Sequence, residues 1–294
     1  MLKDRRLFVG ARRVALVIVA GFLAIVLPAH AEVKQPVFDQ SPIARAALVS
    51  NVATIKPGTP FRVALRLVMP AGWHTYWRNP GESGAPTTVR WLLPDGFTAG
   101  QIVWPAPERI VFHDVVNFGY HDEVWLFVDI VPPNDLRPGT DVRLMADAEW
   151  AVCRDVCVPE VATLTLWMDV GGDGSATAPW AAAFDAEARS LPAAAPATLS
   201  VDEGHVTLDV DVSGLDVPVD GEPFFFAAPF GVIEPGASQR WSRSGDTVSV
   251  IAKRPASGTL PSDGRVAGVV VFQTEADRQA FAVDAPIENK GSAL

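Results

Sequence analysis

The chain has 294 residues, of which 49% are hydrophobic, and its formal net charge is −10. This acidic balance argues against nucleic acid and anionic lipid surfaces as partners. The hydrophobic content suffices for folded cores, and the length fits one large domain or two ordinary ones.

The first 31 residues have the order of a secretory signal peptide. Five basic side chains precede an apolar run over residues 14–27, and Ala29-His30-Ala31 supplies an Ala-x-Ala cleavage site. Fourteen apolar residues fall short of the roughly 20 that span a bilayer, so cleavage is favoured over an uncleaved anchor. Removing residues 1–31 removes five basic and one acidic side chain, which changes the net charge from −10 to −14. We therefore expect an exported protein in a compartment that permits disulfides.

Short strands are predicted through the first half of the chain. Residues 61–69 alternate apolar and polar side chains, which is typical of a half-buried strand. Similar runs recur at 124–131, 142–148 and 161–168, between turns rich in Pro, Gly, Asn and Asp. Residues 72–107, dense in Trp, Pro and Gly, are predicted to contain long loops. This pattern indicates a β-sandwich over residues 32–170.

A linker with one short helix is predicted over residues 171–197. Residues 171–175 resemble a hinge, Thr177 can cap a helix, and Pro179 fits the first turn. One face of this helix carries apolar side chains, namely Trp180, Phe184, Ala188 and Leu191. A second strand series follows at 206–212, 224–227, 247–252, 265–272 and 281–283. The prediction is an all-β chain whose residues 198–294 form a second, smaller sandwich-like domain.

The sequence holds two cysteines, Cys153 and Cys157. The Cα atoms of a bridged pair usually lie about 4.4 to 6.8 Å apart, whereas four residues of extended strand cover about 13 Å. If the two sulfurs bridge, the backbone must fold back between them, and the result is either a local clip or a redox centre. So short a loop stabilises a fold at the low end of the usual range, which favours redox chemistry.

Other chemistry is poorly represented. The sequence lacks a Gly-x-Ser-x-Gly elbow, zinc-finger spacing and a Cys-x-x-Cys motif, and Gly81-Glu82-Ser83-Gly84 is not followed by a predicted helix. The cysteine pair is therefore the leading candidate site.

Several motifs together resemble a known family. They are Pro-Ala-Gly-Trp-His-Thr-Tyr-Trp-Arg-Asn-Pro-Gly at 70–81, Trp-Pro-Ala-Pro-Glu-Arg at 104–109, Phe-Gly-Tyr at 118–120, Glu-Trp-Ala-Val-Cys at 149–153 and Cys-Val-Pro-Glu at 157–160. Over roughly residues 37–167 the chain resembles the periplasmic N-terminal (alpha) domain of the thiol:disulfide interchange protein DsbD family, in its ScsB-like variant.

The resemblance implies an immunoglobulin-like β-sandwich in the periplasm that relays reducing equivalents. Its redox pair falls on Cys153 and Cys157, and a membrane thiol transporter would reduce it. The reduced pair would then serve thioredoxin-fold periplasmic proteins, with Cys157 favoured as the attacking sulfur. The aromatic positions that flank the family's site fall on His74 and Tyr76. The loop that caps the disulfide falls on residues 117–120, with Phe118 as its site residue.

Two departures from the family shape these expectations. Members continue into a multi-helix membrane domain, which this sequence does not contain, so the electron donor is expected to be a separately encoded protein. The second β domain resembles an additional immunoglobulin-like unit of the copper-associated members, and we expect it to position the first domain.

Two alternatives stay open. One is a copper-tolerance protein that holds Cu(I) with Cys153, Cys157 and His74, or with His113 or His121, because thiolate and imidazole suit this ion. The other is an adhesion or chaperone-like sandwich with an inert structural disulfide. Under the leading hypothesis no cofactor is expected beyond the disulfide itself.

Overall fold

The computed structural model describes residues 39–40, 42–171, 178–218 and 220–288. This part of the chain is all-β with one short helix, as the sequence predicts. No helix in it is long and apolar enough to cross a membrane. The predicted signal peptide, the cap at Thr177 and most of the predicted hinge lie outside the described residues.

The first half of the described chain forms two antiparallel-rich sheets that face each other. Their strands are β1 (Asp39–Gln40), β2 (Arg45–Ser50), β3 (Thr54–Ile55), β4 (Phe61–Val68), β5 (His74–Gly81), β6 (Thr88–Leu92), β7 (Thr98–Ala99), β8 (Glu108–Phe112), β9 (Val115–His121), β10 (Glu123–Val131), β11 (Asp141–Cys153) and β12 (Cys157–Val170). The five-stranded sheet has the order β1-β2-β4-β10-β7. The seven-stranded sheet has the order β3-β12-β11-β5-β9-β8, with β6 also paired to β11.

Alternation of apolar and polar residues explains the inner faces. In β4, the side chains of Phe61, Val63, Leu65 and Leu67 are buried in the main core, which confirms the predicted half-buried strand. The β10, β11 and β12 strands contain the other runs predicted from the pattern. Successive side chains of a strand point to opposite faces, so one set of each strand fills the space between the sheets.

The prediction of long loops over residues 72–107 is wrong in part. This segment contains β5, β6 and β7, and β5 pairs with β9 through an irregular register between Tyr76 and Gly81. Trp, Tyr and Thr fit a pleated, half-buried surface, and here that preference outweighs the Pro and Gly content.

The single helix of the described residues, α1 (Ala181–Arg189), covers the outer face of the five-stranded sheet. The Phe184 ring is 1% exposed and its centroid lies 5.1 Å from that of Phe127 and 5.9 Å from that of Trp125. Trp180, Ala188 and Leu191 pack against the same cluster, so the buried face of the helix is the one that the sequence predicts. Burial of this apolar face, rather than a side-chain cap, holds the helix in place.

The second half of the described chain forms an eight-stranded sheet. Its strands are β13 (Ala193–Ala194), β14 (Ala197–Val201), β15 (His205–Asp211), β16 (Glu222–Ala227), β17 (Arg240–Ser244), β18 (Thr247–Lys253), β19 (Arg265–Gln273) and β20 (Arg278–Glu288). The order is β16-β19-β20-β14-β15-β18-β17, with β13 also paired to β20. All five strands predicted from the sequence are present, while β13, β14 and β17 were not predicted.

The two halves touch through buried groups. The Phe118 centroid lies 4.9 Å from that of Phe226 and 6.1 Å from that of Phe224. The buried Asn79 side chain donates a hydrogen bond to the Ala227 carbonyl at 2.7 Å. The described residues of both halves belong to one compact unit. The division into domains at residues 170 and 198 stays a prediction.

Candidate redox site

The two cysteines close a tight hairpin. Antiparallel pairing of β11 with β12 places Cys153 opposite Cys157, and the three residues between them turn the chain. The two sulfurs form a disulfide, and the Cα atoms lie 4.1 Å apart. The backbone folds back between the cysteines, as a bridge requires.

The disulfide lies on the outer face of the seven-stranded sheet. Pairing places Cys157 opposite Cys153, Cys153 opposite His74, and His74 opposite His121. Paired residues of adjacent strands project from the same face. Val152, the neighbour of Cys153, is fully buried in the main core on the other face. These four side chains, which we name the outer row, therefore point away from the core.

Tyr76 lies two residues after His74 in β5, so its side chain projects from the same face as the outer row. Its hydroxyl donates a hydrogen bond to Cys153 Sγ at 2.7 Å and lies 3.3 Å from Cys157 Sγ. The side chain is buried, and desolvation raises the pKa of Tyr76 above its ordinary value. The phenol is therefore neutral at physiological pH, with a proton directed at the sulfurs.

The two sulfurs differ in access. Cys153 is 2% exposed and packs against Tyr76 and Ala151, whereas Cys157 is an exposed residue. Thiol-disulfide exchange needs direct sulfur-to-sulfur contact, so the exposed Cys157 is the more accessible of the two cysteines to an incoming thiolate.

The loop after β5, which is not among the predicted site residues, covers Tyr76. A Cβ atom on Gly84, where φ is +91°, would lie 2.1 Å from the Tyr76 ring, so this glycine lets the backbone approach the ring. Ser83 donates hydrogen bonds to Asn117 Oδ1 from its backbone amide at 3.2 Å and from its hydroxyl at 2.9 Å. The paired glycines Gly81 and Gly84, directly after the aromatic run, are the sequence signal that could have identified this cover.

The predicted cap at residues 117–120 is not a loop. These residues belong to β9, in which residues 117–119 pair with β8, and Asn117, Gly119 and Tyr120 pair with β5. Phe118 is fully buried and faces the main core with Phe226, so its ring does not lie beside the sulfurs. Asn117 is the residue of this segment that reaches the site, through Ser83.

The histidines predicted around the pair have different environments. His74 is 4% exposed, and desolvation, followed by the proximity of His121, lowers the pKa of His74. The rings of His74 and Tyr76 are 5.4 Å apart, and those of His74 and His121 are 5.9 Å apart. His121 Nδ1 lies 3.0 Å from Glu108 Oε2. His113 instead lies in the turn between β8 and β9.

A buried carboxylate anchors the hairpin from behind. Glu160 is 4% exposed and accepts hydrogen bonds from the Ile43 amide at 2.7 Å, the Ala44 amide at 3.1 Å and Trp150 Nε1 at 2.9 Å. Buried carboxylates need such donors, because desolvation of an unpaired charge is costly. Glu160 thus ties the strand that starts at Cys157 to the start of β2.

Metal ligation is the remaining chemistry to consider. Within the described ranges, no group of three or more His, Cys, Asp and Glu side chains is arranged to hold a metal ion. The Cu(I) site of Cys153, Cys157 and His74 stays a prediction.

Comparison with known proteins places the first half of the chain. Residues 44–168 match the family model described as "Thiol:disulfide interchange protein DsbD, N-terminal". The N-terminal periplasmic domain of ScsB from Proteus mirabilis is similar in fold, with 18% identity, a TM-score of 0.58, and coverage of 85% of this chain and 96% of that one.

A second solved structure matches more weakly. The N-terminal domain of Neisseria meningitidis DsbD in its reduced form matches 42% of this chain and 86% of its own length at 16% identity, with a TM-score of 0.23. No curated protein matches the chain. The family match and the ScsB fold together show that residues 44–168 are a DsbD N-terminal-like domain, whose Cys153–Cys157 disulfide fits a thiol-disulfide interchange module.

Proposed function

We propose that this protein is a periplasmic relay that takes reducing equivalents from a separate membrane thiol transporter and passes them to thioredoxin-fold proteins. The observation that carries the proposal is the asymmetry of the disulfide. Cys157 is exposed, while Cys153 is buried and receives a hydrogen bond from Tyr76. The periplasmic ScsB domain of similar fold supports the compartment.

Reduction of the relay begins at the exposed sulfur. A donor thiolate attacks Cys157 Sγ, a mixed disulfide forms, and the bond to Cys153 breaks with its electron pair left on Cys153 Sγ. The donor's second thiolate then attacks the donor sulfur of the mixed disulfide and releases Cys157. The donor leaves oxidised, and the relay has gained two electrons and, after protonation from solvent, two protons.

Delivery to an acceptor reverses this order. The Cys157 thiolate attacks the acceptor's disulfide, which releases one acceptor thiolate and forms a second mixed disulfide. Cys153 then attacks Cys157 Sγ, which restores the Cys153–Cys157 bond and releases the reduced acceptor. Cys157 is thus the exchanging cysteine and Cys153 the resolving one.

Tyr76 supports the reduction of the disulfide. Its hydroxyl lies 2.7 Å from Cys153 Sγ, where negative charge develops when Cys153 is the leaving group. A hydrogen bond to a charged sulfur is stronger than one to a neutral sulfur, so the phenol favours bond breakage over the intact disulfide. A neutral phenol suits this role because it has a proton to donate.

The order of the cysteines can be tested by trapping. Reduced Cys153→Ser protein is mixed with oxidised DsbA, whose potential of about −120 mV drives the exchange, and covalent adducts are measured by mass spectrometry after acid quenching. Cys153→Ser should accumulate a mixed disulfide because the resolving sulfur is absent. Cys157→Ser should accumulate far less, since its remaining thiol is buried. Equal adducts from both variants would contradict the proposed order.

A potential separates the relay from an inert disulfide. Equilibration of wild-type protein in dithiothreitol buffers should give a potential between about −120 and −270 mV, the range of disulfide-exchanging proteins. A value below about −300 mV would identify a structural disulfide instead.

A further inference from the structure

We propose that the exposed apolar surface of Val156, Pro159 and Val161, named here the β12 patch, is where exchanging proteins dock. Its occupant is a folded protein that presents its cysteine within a flat apolar surface. The inference rests on the proposed function, because it takes Cys157 to be the sulfur that exchanges.

The direction of attack points to this side of the site. Displacement at a disulfide proceeds in line, so the incoming sulfur approaches Cys157 Sγ from the side opposite Cys153. The bond between the cysteines crosses from β11 to β12. Its extension beyond Cys157 therefore passes over β12 and away from β11, and the incoming protein must cover β12.

The opposite side of the disulfide is already occupied. Tyr76 contacts both sulfurs from β5, and the loop that carries Ser83 and Gly84 lies over its ring. A protein that approached over β5 would meet this cover before either sulfur. On the β12 side, by contrast, Cys157, Pro159 and Val161 are exposed.

The surface on the open side is apolar. Val156, the residue before Cys157, is 64% exposed, and Val161 is 69% exposed. Cys157, Pro159 and Val161 project from one face because side chains alternate along a strand, which sets Val161 about 13 Å from Cys157. Adjoining exposed apolar side chains of this kind are typical of surfaces that bind another protein.

Two of the charges beside the patch are paired with each other, while the exposed Glu149 lies directly opposite Val161 on β11. Arg154 Nε lies 2.9 Å from Asp155 Oδ2, and the Arg154 guanidinium lies 5.1 Å from the centroid of the Trp73 ring. Burial of apolar area is expected to dominate docking, and the Glu149 carboxylate disfavours an acidic partner surface.

The edge of β12 indicates a folded occupant. In the described part of the chain, β12 pairs on its far edge with β3 at residues 169–170 alone. Pro159 lies in the open stretch of this edge, and proline in an edge strand hinders the addition of another strand. The patch is therefore suited to side-chain contact with a folded surface.

The test compares a protein thiol with a small thiol. Oxidised wild-type protein is reduced by reduced thioredoxin or by dithiothreitol, and both rate constants are measured. Val161→Asp should slow the reaction with thioredoxin at least tenfold and the reaction with dithiothreitol less than twofold. Val111→Asp is the matched control, because Val111 is 55% exposed on β8, four strands and about 19 Å from β12.

Each result decides between the claims. If Val161→Asp changes both rates by the same factor, or no more than Val111→Asp does, the β12 patch is not the docking surface. If the rate constant of wild-type protein with thioredoxin is no higher than the reactivity of the thioredoxin thiol alone explains, the docking proposal also fails. If neither thiol reduces the disulfide, the proposed function itself is wrong. Unfolding midpoints of both variants check that the fold is kept, and that of Val161→Asp should fall slightly because its carboxylate lies opposite Glu149.

Discussion

Tyr76→Phe removes the one hydroxyl that contacts both sulfurs and keeps the ring. The hydrogen bond from Tyr76 Oη to Cys153 Sγ is 2.7 Å long, and the side chain is fully buried. A hydrogen bond to a charged group contributes about 1.5 to 3 kcal/mol. Because this bond is stronger to the Cys153 thiolate than to the disulfide, we expect the variant to lose most of that amount in the reduced, ionised state.

Two measurements follow from this loss. The reduction potential, measured at a pH where Cys153 is ionised, should become more negative by about 30 to 65 mV, since 30 mV corresponds to about 1.4 kcal/mol for two electrons. Reduction by dithiothreitol should slow by roughly tenfold to a hundredfold, because Cys153 is the leaving group.

Tyr120→Phe is the matched control for this experiment. The Tyr120 hydroxyl donates to the Pro105 carbonyl at 2.9 Å, and the ring is buried on the opposite face of the same sheet. It should lose stability without any change in potential. An unchanged potential and rate in Tyr76→Phe would refute the assignment of Tyr76 as the donor to Cys153.

Three further outcomes are expected. Gly84→Ala should destabilise the protein by about 1 to 3 kcal/mol more than Gly139→Ala in urea unfolding, because both glycines have positive φ but only the Cβ at Gly84 would strike another residue. Glu160→Gln should lower the free energy of unfolding by roughly 1 to 3 kcal/mol, because its amide NH₂ replaces an acceptor of buried N–H groups. His74→Phe should lose less stability than wild type between pH 8 and pH 5. The folded state lowers the pKa of His74, so below about pH 6.5 the unfolded chain binds a proton that the folded chain resists. Equal declines in both proteins would contradict this.

The parts of the fold that the sequence predicts are those whose burial differs between two faces. In β4, alternate side chains are buried in the core, so the pattern and the strand coincide. β17 has no such signal, because all five of its residues are exposed. It is a strand through its pairing with β18, and an alternation pattern cannot report that pairing.

The site shows the same limit at the level of single residues. Cys153 and Cys157 are adjacent along one hairpin, so their pairing could be anticipated from local geometry. The Tyr76 contact joins positions 77 residues apart, and only the motif resemblance suggested it. The motif fixes the position of Phe118 in the chain but not the face of the strand from which its ring projects. The resemblance alone therefore could not show that this ring faces the core.

The inner faces of β5 and β11 connect the candidate redox site to the second half of the chain. Cys153 and Tyr76 hold their positions because their neighbours Val152 and Trp77 are fully buried on the inner face. The Trp77 centroid lies 6.3 Å from that of Phe226, which belongs to β16. A side chain that is locked by packing keeps a site rigid at the scale of a hydrogen bond. The position of the Tyr76 hydroxyl thus depends on the next residue of β5, Trp77, and on its aromatic contact with the eight-stranded sheet.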